Sequence, residues 1–154
     1  MRATDLDART LRVVRVFDAP RERVFAAWTE AEQFMQWMCP PDVGLDQCEL
    51  DLRAGGAWRA QGYQAAGRFA LSGVYIEVKR PELLVFTWAH LSGGTYDGAR
   101  GHETTVRVEF RAVGNKTEIT LTHAPFPDAP SFEDHNKGWN GSFDKLTTYF
   151  RRAS

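Results

Sequence analysis

Residues 131–150 read SFEDHNKGWNGSFDKLTTYF, and their spacing decides the architecture. Phe132, His135, Trp139, Phe143, Leu146 and Phe150 recur every three or four residues. That is the apolar face of an α-helix of about five turns. Ser131 with Asp134 reads as the cap that starts it. A helix this long with one apolar stripe must bury that stripe against another layer. The receiving layer has to lie upstream.

Upstream, the period of the apolar residues falls to two. Runs rich in β-branched and aromatic residues, bounded by turn residues, read as strands at 10–17, 45–53, 57–63, 68–78, 83–91, 102–111 and 116–123. Gly55-Gly56 and the stretch Lys79-Arg80-Pro81-Glu82 are turns. Val113-Gly114-Asn115 closes a hairpin. Residues 92–100 hold three glycines and an aspartate and read as a mobile loop. After the first strand, Val24, Phe25 and Trp28 mark a short helix over Pro20–Trp28, with proline suited to a helix start. Thr29 with Glu32 matches a capping box that opens a second short helix, whose apolar side is Phe34, Met35, Trp37 and Met38. Cys39-Pro40-Pro41 ends it. Consecutive strands on short turns are antiparallel. The expected fold is therefore α+β and occupies one domain, 1–154, with an ordered core at 11–151. A curved antiparallel sheet of about seven strands wraps the C-terminal helix, and two short helices lie between strands one and two.

Alternation sorts the faces. Leu84, Phe86, Trp88 and His90 fall in step, as do His102, Thr104, Val106, Val108 and Phe110, and then Ile119, Leu121 and His123. One register, Phe110 opposite Ile119, brings Val108 to Leu121 and Val106 to His123, so the three sets agree. Arg107, Glu109, Glu118 and Thr120 then face solvent. His90, His102 and His123 point toward the space under the helix.

Composition narrows the function classes. With 19 basic and 20 acidic residues the net charge is -1, and no basic stripe exists to hold nucleic acid. No run approaches the ~20 apolar residues that span a bilayer, and Met1–Thr10 is too polar for a signal peptide. Cys39 and Cys48 are too few for a disulfide framework, which points to reduced thiols and a cytoplasmic setting. Five Trp, ten Phe and four Tyr make the aromatic content the informative part.

Several stretches together carry a resemblance: Arg15–Pro20 with Val24 and Trp28; Trp37; Leu50–Trp58 (LDLRAGGAW); Pro81–Trp88 (PELLVFTW); Thr117–His123; and Gly138-Trp139 with Leu146 and Tyr149. In this order they resemble the START-like (SRPBCC) superfamily, in the branch homologous to the activator of the heat-shock-protein-ninety ATPase. The likeness runs from Leu11 to Phe150. It implies a helix-grip fold with a cavity for apolar ligands and leaves the chemistry open, since fold does not assign function. The usual tryptophan pair followed by glycine-proline is here Trp37-Met38-Cys39-Pro40.

The leading expectation is a cavity that binds an apolar or aromatic small molecule or lipid. Trp37, Tyr75, Phe86, Trp88, Thr104, Val106, His123, Trp139 and Phe143 are its candidate ligand-binding residues, with Tyr75, Thr104 and His123 as polar anchors. The competing reading of the aromatic set is plain core, and Trp28 and Trp58 are assigned to packing. His123 is the candidate acid-base group of a cyclase- or hydrolase-like enzyme, against a histidine satisfied at a strand end. A co-chaperone-like interaction module is implied only by the family name. No metal site is expected from His90 and His102 with Glu103 or Asp97: Glu103 alternates to the other face, and no two-turn helical spacing of ligands exists. No cofactor is expected. Cys39 reads as an apolar filler rather than a reactive thiol. Gly55-Gly56 precedes a strand, so it does not cradle phosphate. Self-association into a homodimer stays open.

Overall fold

A computed structural model describes residues 9–39 and 43–152. The elements follow the expected order. β1 (Leu11–Phe17) leads into α1 (Arg21–Thr29) and α2 (Ala31–Trp37). Then come β2 (Gly44–Leu50), β3 (Ala57–Gln64), β4 (Gly67–Lys79), β5 (Leu83–His90), β6 (Thr104–Val113) and β7 (Lys116–Ala124), and α3 (Ala129–Arg152) follows. The seven strands form one antiparallel sheet in the order β1-β7-β6-β5-β4-β3-β2. From β2 to β7 each strand pairs with its neighbour in sequence, and β1 alone reaches across the chain to β7. Phe110 lies opposite Ile119, Val108 opposite Leu121 and Val106 opposite His123, the register that the alternating faces require.

The sheet curls around α3 with the help of two register shifts, in β4 between Tyr75 and Glu77 and in β2 between Leu45 and Gln47. Such irregularities bend a strand and increase its twist. Gly73 adds a second device. The Trp58 indole N–H of β3 crosses β4 at this residue and donates to the Thr87 carbonyl of β5 at 2.9 Å. A Cβ at position 73 would collide with both partners of that bond, so only glycine leaves the passage open.

One end of the interior is filled. Phe143, Leu146 and Phe150 of α3 are almost fully buried, with Phe17 of β1 at 5.3 Å from Phe143 and 5.9 Å from Phe150, edge to face. Phe25 meets Phe110 at 5.2 Å, and Trp28 stacks on Trp139 at 5.9 Å with the planes 22° apart. Burying rings of this size supplies roughly 1.5–3 kcal/mol each.

Two local expectations need correction. Thr29 does not open α2. It remains in α1, where its hydroxyl donates to the Phe25 carbonyl at 2.9 Å, and Glu30 stands at the start of α2 without a side-chain cap bond. A hydroxyl satisfied four residues back has nothing left for the next helix. The start of α3 is held by Asp128, whose carboxylate accepts the Ser131 N–H at 2.9 Å, rather than by Ser131 with Asp134. Residues 92–100 form the expected loop, closed by bonds between its two ends. Ser92 binds Ala99 through its backbone N–H at 3.0 Å and its hydroxyl at 3.0 Å, and Leu91 bridges Arg100. Pro40 and Pro41, expected to stop α2, lie outside the described residues, as does the polar stretch 1–8. Among the described residues no helix is long and apolar enough to cross a membrane.

Candidate ligand site

The end of the interior under the first half of α3 is not filled. A cavity of about 610 Å³ lies between the sheet and this half-helix. Its walls include Met38, Cys39 and Val43 before β2, Phe69 and Leu71 of β4, and Trp88 and His90 of β5. α3 contributes His135, Gly138 and Trp139, with Asp134 and Lys137 also on the wall. Gly138 matters for its missing side chain: apart from its chain neighbours and the adjoining helix backbone, no atom lies within 4 Å of where its Cβ would stand. A second cavity of about 190 Å³ is lined by His102, Thr104, Phe126 and Pro127. The two cavities share four residues: Trp88, His90, Ser131 and His135.

Of the nine residues singled out in the sequence, Trp88 and Trp139 line the larger cavity, and Trp88 and Thr104 line the smaller. Trp37, Tyr75, Phe86, Val106, His123 and Phe143 line neither. All six are buried among other side chains. Trp37 is tied down by its indole N–H, which donates to the Ala27 carbonyl at 2.9 Å, and Phe86 sits between Trp58 and Tyr75. Strand alternation puts Phe86, Val106 and His123 on the inner face. It does not say which part of that face the helix fills.

His123 is wired into the core. The Trp139 indole N–H, which can only donate, meets His123 Nδ1 at 3.0 Å. Nδ1 must therefore accept, and the neutral ring carries its proton on Nε2. That proton goes to Thr104 Oγ1 at 2.6 Å, and the Thr104 hydroxyl donates on to the Trp88 carbonyl at 3.2 Å. Both nitrogens are committed and the ring is fully buried. Burial first, and then the neighbouring His135 and His90, hold its pKa well below the ordinary value, so it stays neutral. This is the arrangement of a structural histidine rather than of a proton carrier facing a cavity.

The accessible pair is His90 and His135. His135 Nδ1 donates to the Ser131 carbonyl at 2.8 Å, which leaves its Nε2 as an acceptor. His90 Nε2 lies 3.2 Å away and donates to it. This bond bridges β5 and α3 where the two cavities meet. Burial lowers both pKa values. His135 lowers that of His90 further, while the Ser131 bond and Asp134 partly offset the effect on His135. Trp88 packs against both rings, with centroids at 6.4 and 6.2 Å, and among the described residues its buried indole N–H has no acceptor. A buried donor left unpaired costs roughly 1–3 kcal/mol.

His102 lines the smaller cavity but is held by the Pro125 carbonyl at 2.8 Å. Among the described residues no three His, Cys, Asp or Glu side chains form a metal-binding group. Burial pushes the Cys39 and Cys48 thiols up to about 12, so neither is a thiolate nucleophile at neutral pH. Sequence reasoning missed His135 and Phe126 as site residues. His135 sat in the apolar stripe of α3 and read as packing. Phe126, between prolines, gave no periodic signal, yet it is buried with His123 at 4.6 Å and His135 at 4.9 Å.

Residues 18–151 match the family described as Activator of Hsp90 ATPase homolog 1-like protein. The chain belongs to this family. The AHSA1 protein of Silicibacter pomeroyi is 28% identical, with a TM-score of 0.82 over 94% of this chain and 99% of that one. A protein of Chromobacterium violaceum is 23% identical, with a TM-score of 0.81 over 91% of this chain and 95% of that one. A protein of Arthrobacter aurescens, solved by NMR, is 19% identical, with a TM-score of 0.83 over 96% of this chain and 89% of that one. The latter two share the fold. No curated protein matches. Family membership places the chain in the helix-grip architecture, a fold consistent with a ligand-binding domain.

Proposed function

We propose that the chain binds an apolar or aromatic small molecule in the larger cavity between the sheet and the first half of α3. The observation that carries this reading is the cavity of about 610 Å³ bordered by a helical glycine, Gly138, whose Cβ direction is empty. The volume lies in the range of small-molecule sites, roughly 300–1,000 Å³. A glycine inside a helix costs about 1 kcal/mol relative to alanine. Here that cost keeps space open. Phe69, Leu71, Trp88 and Trp139 supply apolar area, and His90 and His135 supply polar groups in contact with each other.

Gly138→Leu tests the reading directly, because leucine favours the helix and its side chain enters the cavity. Titration of a naphthalene-bodied probe, followed by calorimetry, is expected to show binding to the wild type and at least a tenfold loss in the variant. The variant should unfold at an equal or higher temperature. Undiminished binding to a well-folded Gly138→Leu protein would remove the ligand from this cavity.

A further inference from the structure

We propose that the site takes an apolar carboxylic acid, bound as its carboxylate between His90 and His135 at the junction of the two cavities, with uptake of one proton. This rests on the ligand-binding reading above and specifies the ligand's polar end.

The two cavities meet at Trp88, His90, Ser131 and His135, so the hydrogen bond between the two imidazoles is part of the partition between them. In the neutral pair that bond has one proton to share. A second proton placed on His135 Nε2, rather than on His90 Nδ1, puts an N–H on both facing nitrogens, and two donors 3.2 Å apart cannot bond to each other. The bridge must then open, or something between the rings must accept from both. A carboxylate does this: it only accepts, and its two oxygens offer about four lone-pair sites. Bonds from charged donors to a carboxylate are also stronger than neutral ones. Trp88, which borders both cavities, also has a buried indole N–H without an acceptor among the described residues. The apolar body then extends along Phe69, Leu71 and Trp139.

The charged and titratable groups around the pair agree with an anionic head. β5 contributes His90. α3 contributes His135 and the rim residues Asp134 and Lys137, whose charges oppose each other. His102 stands before β6 across the smaller cavity, and His123 of β7 lies behind, already committed to Trp139 and Thr104. The wall from β3 and β4, Gln64, Phe69 and Leu71, has no charge. Both imidazoles are held neutral in the free protein, so the second proton must arrive with the ligand. Affinity should therefore fall as pH rises, by about tenfold per unit above neutrality.

Three probes with one body decide the matter: naphthalene-2-carboxylate, its methyl ester and 2-naphthylmethylamine, titrated calorimetrically into the full chain at pH 6.5 and 7.5. Repeating the titration in two buffers of different ionisation enthalpy counts the protons taken up. The expected result is carboxylate over ester by about tenfold or more at pH 6.5, with close to one proton taken up at pH 7.5. His135→Gln, checked for cooperative unfolding, should keep ester binding and lose both the preference and the proton. If ester or amine binds as tightly as the carboxylate, or no proton is taken up, the carboxylate inference is overturned and the cavity reading stands. If His135→Gln keeps the preference, the seat is elsewhere and the inference falls. If no probe binds the wild type, both readings fall together.

Discussion

The two halves of α3 face different interiors. The second half, from Phe143 to Phe150, packs its buried rings against Phe17 and its neighbours. The first half, from Ser131 to Ser142, borders both cavities. The same contrast separates the histidines. His123 is sealed, with both nitrogens bonded, whereas the His90–His135 pair is reachable and joined by a single hydrogen bond. Burial of a polar aromatic residue is thus not the mark of a site here. The mark is a polar group beside empty space with bonding capacity left over.

If the closed half is a packed core, Phe143→Ala should destabilise the protein by about 3–5 kcal/mol, read as a shift of the urea midpoint at constant slope. A change below about 1 kcal/mol would mean that this end is loosely packed and the contrast is false.

The histidine contrast predicts a pH dependence. His123, His90 and His135 are all held below the ordinary histidine pKa of 6.5 when folded. Below that pH the unfolded chain takes up protons that the folded chain refuses, so stability is flat above about pH 6.5 and falls as pH drops beneath it. The slope reaches about 1.4 kcal/mol per pH unit for each histidine that stays neutral. His123→Gln should lower stability at pH 7.5 by about 1–3 kcal/mol, because Trp139 and Thr104 lose their partner. It should also flatten the acid limb, measured as denaturant midpoints between pH 5 and 7.5. An unchanged acid slope would show that His123 is not sealed.

The smallest effect belongs to the bridge. His90 sits at the surface end of β5, its ring only partly covered, and makes one side-chain hydrogen bond, to His135 at 3.2 Å, so His90→Asn should change stability by no more than about 0.5 kcal/mol. A larger thermal shift would make the bridge structural and blur the line between the two groups.

The sheet, its register and the order of elements were legible because they follow from periodicity. Val106, Val108 and Phe110 fix one face, and only one pairing with Ile119, Leu121 and His123 buries every apolar member. The site was legible only in part. Trp88 and Trp139 are large and central, and the sequence marks them. Trp37 and Phe143 carry the same signal but lie where α1 and α2 close the interior, which depends on how three helices meet and not on any one stretch. Gly138 marks the cavity through a missing side chain, and His135 through its facing partner across 45 residues. Neither kind of signal is periodic.

The strand order also bears on how the chain reaches this state. β2 to β7 is a run of local hairpins, each closable on its own, whereas β1 pairs with β7 through contacts such as Leu11 to His123, more than a hundred residues apart. Long-range pairings are slow because loop-closure entropy is lost before any contact forms. The meander can therefore assemble first, with β1 docking last along an open edge of β7. Until it docks, the backbone of β7 that carries His123 is an unpaired edge of the kind through which a half-folded chain aggregates. Amide exchange in a refolding pulse should protect β5 and β6 before β1.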